Sequence, residues 1–291
     1  MNDEIAQHYD NKRQFSVRER QNSPIIRLKD FNNWIKSVLI NEYVRSGDRI
    51  LDLCCGKGGD LNKWRIANIS HATFADISPV SVDQCKDRYL SQRAKFGAQF
   101  FAVDCFSEHF LPTIWKEGKM LFDVVSCQFA YHYSFASKES LLSSLKSISS
   151  VLPVGGTFIA TLPDAETIYR RLLRSQSMEF GNSIYRIRFS GHDKGAFVKY
   201  GQKYEFWLKD AIDNCPEFMV HGETLKANAK AFGLKCTYWK NFSEVLEDYR
   251  EKYASLLQRM MHFDVHEGKE LMNAEEWEAS TLYLALVFVK E

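Results

Sequence analysis

The sequence predicts an α/β protein built on a doubly wound, mostly parallel sheet of seven strands, with an insertion between the fifth and sixth. Three observations carry this. Arg49–Leu53 is a short apolar run that passes through a glycine turn (Gly56, Gly58, Gly59) into helical sequence at Leu61, Trp64 and Ile66. Strand-like runs then alternate with helical stretches as far as Leu162. An acid lies within or at the end of each of the first three strands, as Asp52, Asp76 and Asp104. Glycine lets the backbone turn sharply and approach a ligand, and such a sheet opens its crevice at the carboxyl ends of its strands.

The elements follow in order. Residues 1–30 read as a solvated arm, in which Lys12, Arg13, Arg18, Arg20, Arg27 and Lys29 outweigh Asp10, Glu19 and Asp30. Asp30 is placed to cap a helix from Phe31 to about Tyr43, with Phe31, Trp34, Ile35, Val38 and Leu39 on one stripe. Asn32 and Lys36, four apart, share a different face. His71–Phe74 is the second strand, ending at Asp76, and Ser78-Pro79 starts the next helix. Gln99–Val103 and Leu121–Ser126 are the third and fourth. Ser137 caps the helix Lys138–Val151, and Thr157–Leu162 is the fifth strand.

From Pro163 the rhythm breaks. Residues 164–230 hold a helical stretch, Ala165–Ser175, and two β-like runs, Ser183–Phe189 and Lys203–Leu208. They read as an insertion over the strand ends, so that 1–291 is expected to be one domain. Phe232–Asn241 and Thr281–Val289 resume the sheet as an antiparallel pair, with helical sequence at Ser243–Met261 and Ala274–Glu278 between them.

A net charge of +1 supplies no global basic field, so any contact with nucleic acid has to come from a local patch. Seven cysteines without a C-x-x-C pair argue against a disulfide framework or a zinc site, and no metal is expected. With no apolar run long enough to span a bilayer and no signal peptide, the expected setting is intracellular and away from membranes.

The interval from Gly59 to Asp76 is close to that between a glycine turn and a ribose-binding acid. A carboxylate there can accept from both ribose hydroxyls, and the next can take an exocyclic amine. The turn is no P-loop, and Gly56-x-Gly58-Gly59 is not G-x-G-x-x-G, which favours S-adenosylmethionine over a dinucleotide. Cys127-Gln-Phe-Ala-Tyr-His-Tyr-Ser-Phe135 interleaves aromatic faces with donors and acceptors at a strand end, a composition that suits a flat base.

Five separated motifs then occur in one family's order: Phe31-Asn-Asn-Trp-Ile-Lys-Ser37, Leu51-Asp-Leu-Cys-Cys-Gly-Lys-Gly-Gly-Asp-Leu61, Ser126–Phe135, Pro216-Glu-Phe218 and Glu276–Tyr283. Together they resemble the mRNA cap (guanine-N7) methyltransferases, from near His8-Tyr9 to the C-terminus. The resemblance implies a class I S-adenosylmethionine-dependent methyltransferase sheet and methyl transfer to N7 of the terminal guanine of capped RNA. It implies a cofactor site of Lys36, Cys54, Gly56, Asp76, Asp104, Gln128 and Tyr133. Asn32, Asn33, Lys57, Lys63, Arg88, Phe106, His132, Glu217 and Tyr283 are implied at the cap, the first two lysines and Arg88 on the triphosphate. His132, Glu217 and Tyr283 would orient the guanine, with no residue acting by direct chemistry. Cys54 departs from the family, which has a small residue there. The family also leaves open further capping domains, an activating subunit, and a nuclear or a viral setting.

Guanine N7 carries an exposed lone pair, so in-line transfer needs no general base, and the pH–rate profile is expected to lack a limb from one near neutrality. Two rivals remain at this point: a class I methyltransferase acting on a small molecule or protein, and a cap-binding module without activity.

Overall fold

The computed structural model describes residues 23–116, 118–191, 194–195, 197–261 and 271–291; the expected arm lies, up to residue 22, outside them. In chain order the elements are α1 (Ile26–Tyr43), β1 (Arg49–Leu53), α2 (Leu61–Ile66), β2 (His71–Asp76), α3 (Pro79–Ser91) and β3 (Gly97–Ala102). There follow α4 (Phe110–Ile114), β4 (Val124–Gln128), a 3-10 turn (Tyr131–Ala136), α5 (Lys138–Val151), β5 (Thr157–Pro163) and α6 (Ala165–Arg174). The second half holds β6 (Glu179–Gly181), β7 (Tyr185–Phe189), β8 (Lys203–Leu208), β9 (Ile212–Phe218), α7 (Gly222–Ala231), β10 (Leu234–Asn241), α8 (Phe242–Tyr249), α9 (Ala254–Met261), α10 (Ala274–Ser280) and β11 (Tyr283–Lys290).

The main sheet has seven strands in the order β10-β11-β5-β4-β1-β2-β3. Strands β1 to β5 pair in parallel, and β11 runs antiparallel to both β5 and β10. The last two strands therefore pair as the sequence suggests, but β11 enters between β5 and β10 and leaves β10 at the edge. Alternation along β1 sends Ile50 to one face, against Phe31, Trp34 and Val38 of α1, while Leu51 and Leu53 join Leu141 and Leu145 of α5 on the other. Both faces are thus covered, which is what a parallel sheet requires. No helix among the described residues is long and apolar enough to cross a membrane.

Two helical stretches differ from the sequence reading. Helix α1 starts at Ile26, not after Asp30. Ile25 and Leu28 are fully buried, and the Leu28 N–H donates to Glu276 Oε1 at 3.2 Å. The first-turn donor is met from α10 rather than by a local cap, so no capping signal marks the start. The helical stretch at 243–261 is broken at 250–253 into α8 and α9, where Lys252 reaches back to Glu42 on α1.

The insertion is a second antiparallel sheet, β6-β7-β8-β9. Only β7 and β8 stood out in the sequence. β6 spans three residues, and β9 contains Asp213, Asn214 and Pro216, which mask its strand character. Proline is tolerated there because β9 is an edge. Helix α7 belongs instead to the main fold, since it packs on β10: a Cβ built on Gly222 would meet the Trp239 ring at 3.1 Å.

Candidate functional site

A cavity of about 510 Å³ opens at the carboxyl ends of the main strands. Its floor is made by Cys54 and Gly56 after β1, Asp76 at the end of β2, Asp104 and Phe106 beyond β3, and Gln128 and Phe129 at the end of β4. Tyr133 of the 3-10 turn also lines it. The facing wall comes from the second sheet and its β8–β9 loop, as Leu208, Ala211, Ile212 and Glu217, with Tyr283 from β11 and Asn32 from α1.

The glycine turn is fixed by sterics. Gly58 sits at φ +70°, and a Cβ there would lie 2.6 Å from Leu61 Cδ1 and 2.8 Å from Cys85 Sγ. Cys54 also takes a positive φ, +54°, a conformation that costs an L-residue roughly 1–2 kcal/mol. Its thiol meets those of Cys105 and Cys127. The bond with Cys105 works to lower its pKa, but Cys127 and burial outweigh that and push it well above the ordinary thiol value. A thiol kept protonated is a poor nucleophile.

The strand-end acids divide into two kinds. Asp76 accepts from the Gly56 N–H at 2.8 Å through Oδ2 and from the Ser78 N–H at 2.9 Å through Oδ1. Asp104 Oδ1 accepts from the Phe106 N–H at 2.9 Å. Backbone donors fix both carboxylates in the cavity floor. Asp52 faces away from it and accepts from Trp64 Nε1 at 2.9 Å. Burial, then Asp60 nearby, pushes its pKa up to about 7.

Glu217 is 4% exposed and reaches the cavity from β9. Its Oε2 accepts from the Tyr204 hydroxyl at 2.7 Å, and its Oε1 stands 3.8 Å from Nε2 of His132. Tyr204 and Glu217 are direct partners in the β8–β9 register. Burial pushes the Glu217 carboxyl up to about 7, with the Tyr204 bond opposing. Burial takes His132 down to about 3, and neither of its ring nitrogens has a hydrogen-bond partner among the described residues. The imidazole is therefore neutral at any physiological pH and can donate from one nitrogen and accept at the other. His132 itself stands behind the wall, in contact with the Tyr133 ring (centroids 4.2 Å apart).

Other residues singled out from the sequence lie apart from this wall. Asp60 Oδ1 takes Lys36 Nζ at 2.7 Å and Lys63 Nζ at 2.8 Å, and Lys63 also donates to Asn33 Oδ1 at 3.0 Å. Arg88 Nη1 donates to the Gly58 carbonyl at 3.1 Å, and Lys57 sits on the glycine turn, half-buried. The structure thus gathers Asn32, Cys54, Gly56, Asp76, Asp104, Phe106, Gln128, Tyr133, Glu217 and Tyr283 around one space, and leaves Asn33, Lys36, Lys57, Lys63, Arg88 and His132 outside its lining. Sequence reasoning missed Phe129, Leu208, Ala211, Ile212 and, behind Glu217, Tyr204. Phe129 carried a local hint, as part of the aromatic stretch that follows the fourth strand; the others depended on the β8–β9 register.

Tyr204→Phe removes the hydroxyl bonded to Glu217 while keeping the ring. The variant is expected to lose about 1–3 kcal/mol of stability, the cost of a buried acceptor left unpaired. It should also move any titration of Glu217 to higher pH. Urea unfolding and a pH series on variant and parent check both.

The chain matches the model of the mRNA (guanine-N(7))-methyltransferase domain over residues 1–291. It is 39% identical, over 98% of its length and 80% of the relative's, to mRNA cap guanine-N(7) methyltransferase 1 of Oryza sativa subsp. japonica. It is equally 39% identical, over 99% of its length and 82% of the relative's, to the mRNA cap guanine-N(7) methyltransferase of Schizosaccharomyces pombe. Among solved structures, an S-adenosylmethionine-dependent methyltransferase from Clostridium acetobutylicum shares the fold, with a TM-score of 0.52 at 14% identity, over 90% of this chain and 91% of that one. The chain belongs to the mRNA (guanine-N(7))-methyltransferase family, on a class I methyltransferase fold.

Proposed function

We propose that this chain transfers the methyl group of S-adenosylmethionine to N7 of the terminal guanine of capped RNA. What carries the reading, beyond family membership, is the position of Glu217: an acid delivered by the second sheet to the cavity that Asp76 and Asp104 line from the main sheet. The donor set fits the cofactor. Asp76 and Asp104 offer oriented acceptors for ribose hydroxyls and an adenine amine, and Cys54, Gly56, Gln128 and Tyr133 close the same floor. Bound S-adenosylmethionine supplies an electrophilic methyl whose leaving group is a neutral sulfide.

The residues of the chain then have two tasks. Glu217 accepts from the N1/N2 edge of guanine, whose two donors match its two oxygens in kind, and Tyr204 holds the carboxylate in place. Phe106, Tyr133 and Tyr283 offer ring faces for the base, and Asn32 a polar edge. Alignment of N7 with the methyl is worth on the order of 7–11 kcal/mol in favourable cases. As positive charge passes to the guanine ring, ionised Glu217 stabilises it. No residue need remove a proton. We place His132 as a neutral support of Tyr133 and Glu217, and Lys57 and Arg88, beside the glycine turn, on the triphosphate side. Lys36 and Lys63 serve as the counter-charges of Asp60. Because the second sheet supplies one wall of the cavity, it works as part of a single methyltransferase unit with the main sheet.

The test is incubation with methyl-labelled S-adenosylmethionine and GpppG- or GpppA-ended RNA, followed by digestion and identification of the methylated atom. Label at N7 of the cap guanine is expected. Label elsewhere on the RNA, or none in the presence of bound cofactor, would overturn the reading.

A further inference from the structure

A second hollow, of about 340 Å³, lies along the same helix α1. Asn41 of α1, Lys63 and Ile66 of α2, and Lys252, Tyr253 and Arg259 at the break and start of α9 line it. Asn32, in the cavity wall, and Asn41, in this groove, are nine residues apart on one helix, about 13 Å along its axis. Between them Lys63 joins the two regions, bonding to Asn33 while lining the groove. Nine residues carry a helix about half a revolution past two full turns, so the two asparagines face different sides of α1, and the link between cavity and groove is the contact of Lys63 with Asn33, the neighbour of Asn32.

Its lining is basic and apolar at once. The whole chain carries a net charge of only +1, yet three cations meet here. Lys63 is neutralised by Asp60 and Lys252 is paired with Glu42, though neither acid lines the groove itself. Arg259 is exposed and makes no ion pair among the described residues. Beside these charges Ile66 is 65% exposed, an unusual position for a large aliphatic side chain, and Tyr253 offers a half-buried ring. Cations beside apolar and aromatic surface match the alternation of phosphate and base in a single-stranded nucleic acid.

We propose that this groove carries the RNA chain immediately downstream of the cap, with Arg259 and Lys252 meeting backbone phosphates and Ile66 and Tyr253 meeting a base or sugar. The proposal rests on the reading of the main cavity as the cap site, and the experiment separates the two. Steady-state kinetics are measured for the parent and for Lys252→Glu/Arg259→Glu on two substrates, the cap dinucleotide GpppG and a short GpppG-capped RNA, across a salt series. The double variant should raise KM for capped RNA about tenfold and flatten its salt dependence by about 1.4 in the log–log slope, the loss of two single-strand phosphate contacts. It should leave the dinucleotide's kcat/KM unchanged. Lys252→Ala/Arg259→Ala, which places no new charge beside Glu42, should show the same pattern at smaller amplitude. An RNA KM that stays put, as it would if a protein partner occupied the groove, overturns the proposal. Equal losses on both substrates overturn it too, since they mark a structural effect. Failure of the parent enzyme to methylate either substrate would instead sink the reading of the cavity.

Discussion

Glu217→Gln should lower kcat/KM for capped RNA by roughly two to four orders of magnitude while leaving cofactor affinity within about twofold of the parent. The first figure follows from two charge-assisted hydrogen bonds to guanine at about 1.5–3 kcal/mol each. The second follows from geometry: Glu217 sits on β9, its bonded partner is Tyr204, and it takes no part in the Asp76–Gly56 or Asp104–Phe106 contacts of the floor. Steady-state kinetics and calorimetric titration with S-adenosylhomocysteine check the pair, and a loss of cofactor binding would remove Glu217 from the guanine side.

The same substitution should stabilise the protein above neutral pH. Burial raises the Glu217 carboxyl from 4.5 to about 7, so its ionised form costs the fold about 3 kcal/mol at about 1.4 kcal/mol per pH unit. Below about pH 4.5 both folded and unfolded chains hold the proton and nothing is lost. Between about pH 4.5 and 7 the unfolded chain releases it first, so stability falls as pH rises, and above that range the whole cost stands. Glutamine removes the cost and keeps an oxygen for the Tyr204 hydroxyl. Unfolding curves for parent and variant should coincide in acid, separate between about pH 4.5 and 7, and stay apart above that, the variant being the more stable.

This changes what the pH–rate profile should look like. A base-free reaction led the sequence reading to expect no limb from an essential base near neutrality, and Glu217 adds a limb of a different kind. With Glu217 half-ionised at about pH 7, guanine binding must first drive off its proton, so kcat/KM should rise with pH through about 7. The bound guanine then holds the carboxylate ionised, and kcat should be nearly flat. His132, down at about 3, contributes no limb to either. A limb in kcat itself would indicate an acid–base step after binding.

The main sheet was legible because each strand is an apolar run bounded by glycine, proline or a strand-end acid, and such local signals survive without tertiary information. The start of α1 was hidden because Glu276, far along the chain, satisfies its first turn. The far wall was hidden for a related reason. Tyr204 and Glu217 are thirteen residues apart and meet only through the β8–β9 register, which no local pattern reveals. Glu217 itself entered the sequence reading through a family motif and not through its spacing. The lysines show what spacing conceals in the other direction. Lys36 and Lys63 looked available to ligands because their common partner, Asp60, stands 24 residues after one and three before the other.

That trio gives the largest structural effect. Asp60→Ala should destabilise the protein by about 3–5 kcal/mol, because it strands the Lys36 and Lys63 ammonium groups together in a site where each side chain is only 13% exposed. Burial alone would raise Asp60, yet the two lysines hold it down to about 2, so acidification should not release the trio until well below the ordinary carboxylate range. Asp52 limits the loss. Its carboxyl is held near 7 by burial and, next, by the Asp60 charge; once that charge is gone it ionises more readily and becomes the nearest counter-charge to Lys36. The observed cost should therefore lie toward the low end of the range and grow as pH falls below neutrality and Asp52 regains its proton. Replacing the whole trio (Lys36→Met, Lys63→Met, Asp60→Leu) removes the buried charge altogether and should recover most of the stability. Cofactor titration on that triple variant then isolates the ligand role of the lysines. If a stable triple variant binds S-adenosylhomocysteine like the parent, the trio is scaffold for the glycine turn. If it folds but binds weakly, Lys36 or Lys63 leaves Asp60 for the ligand when the site fills.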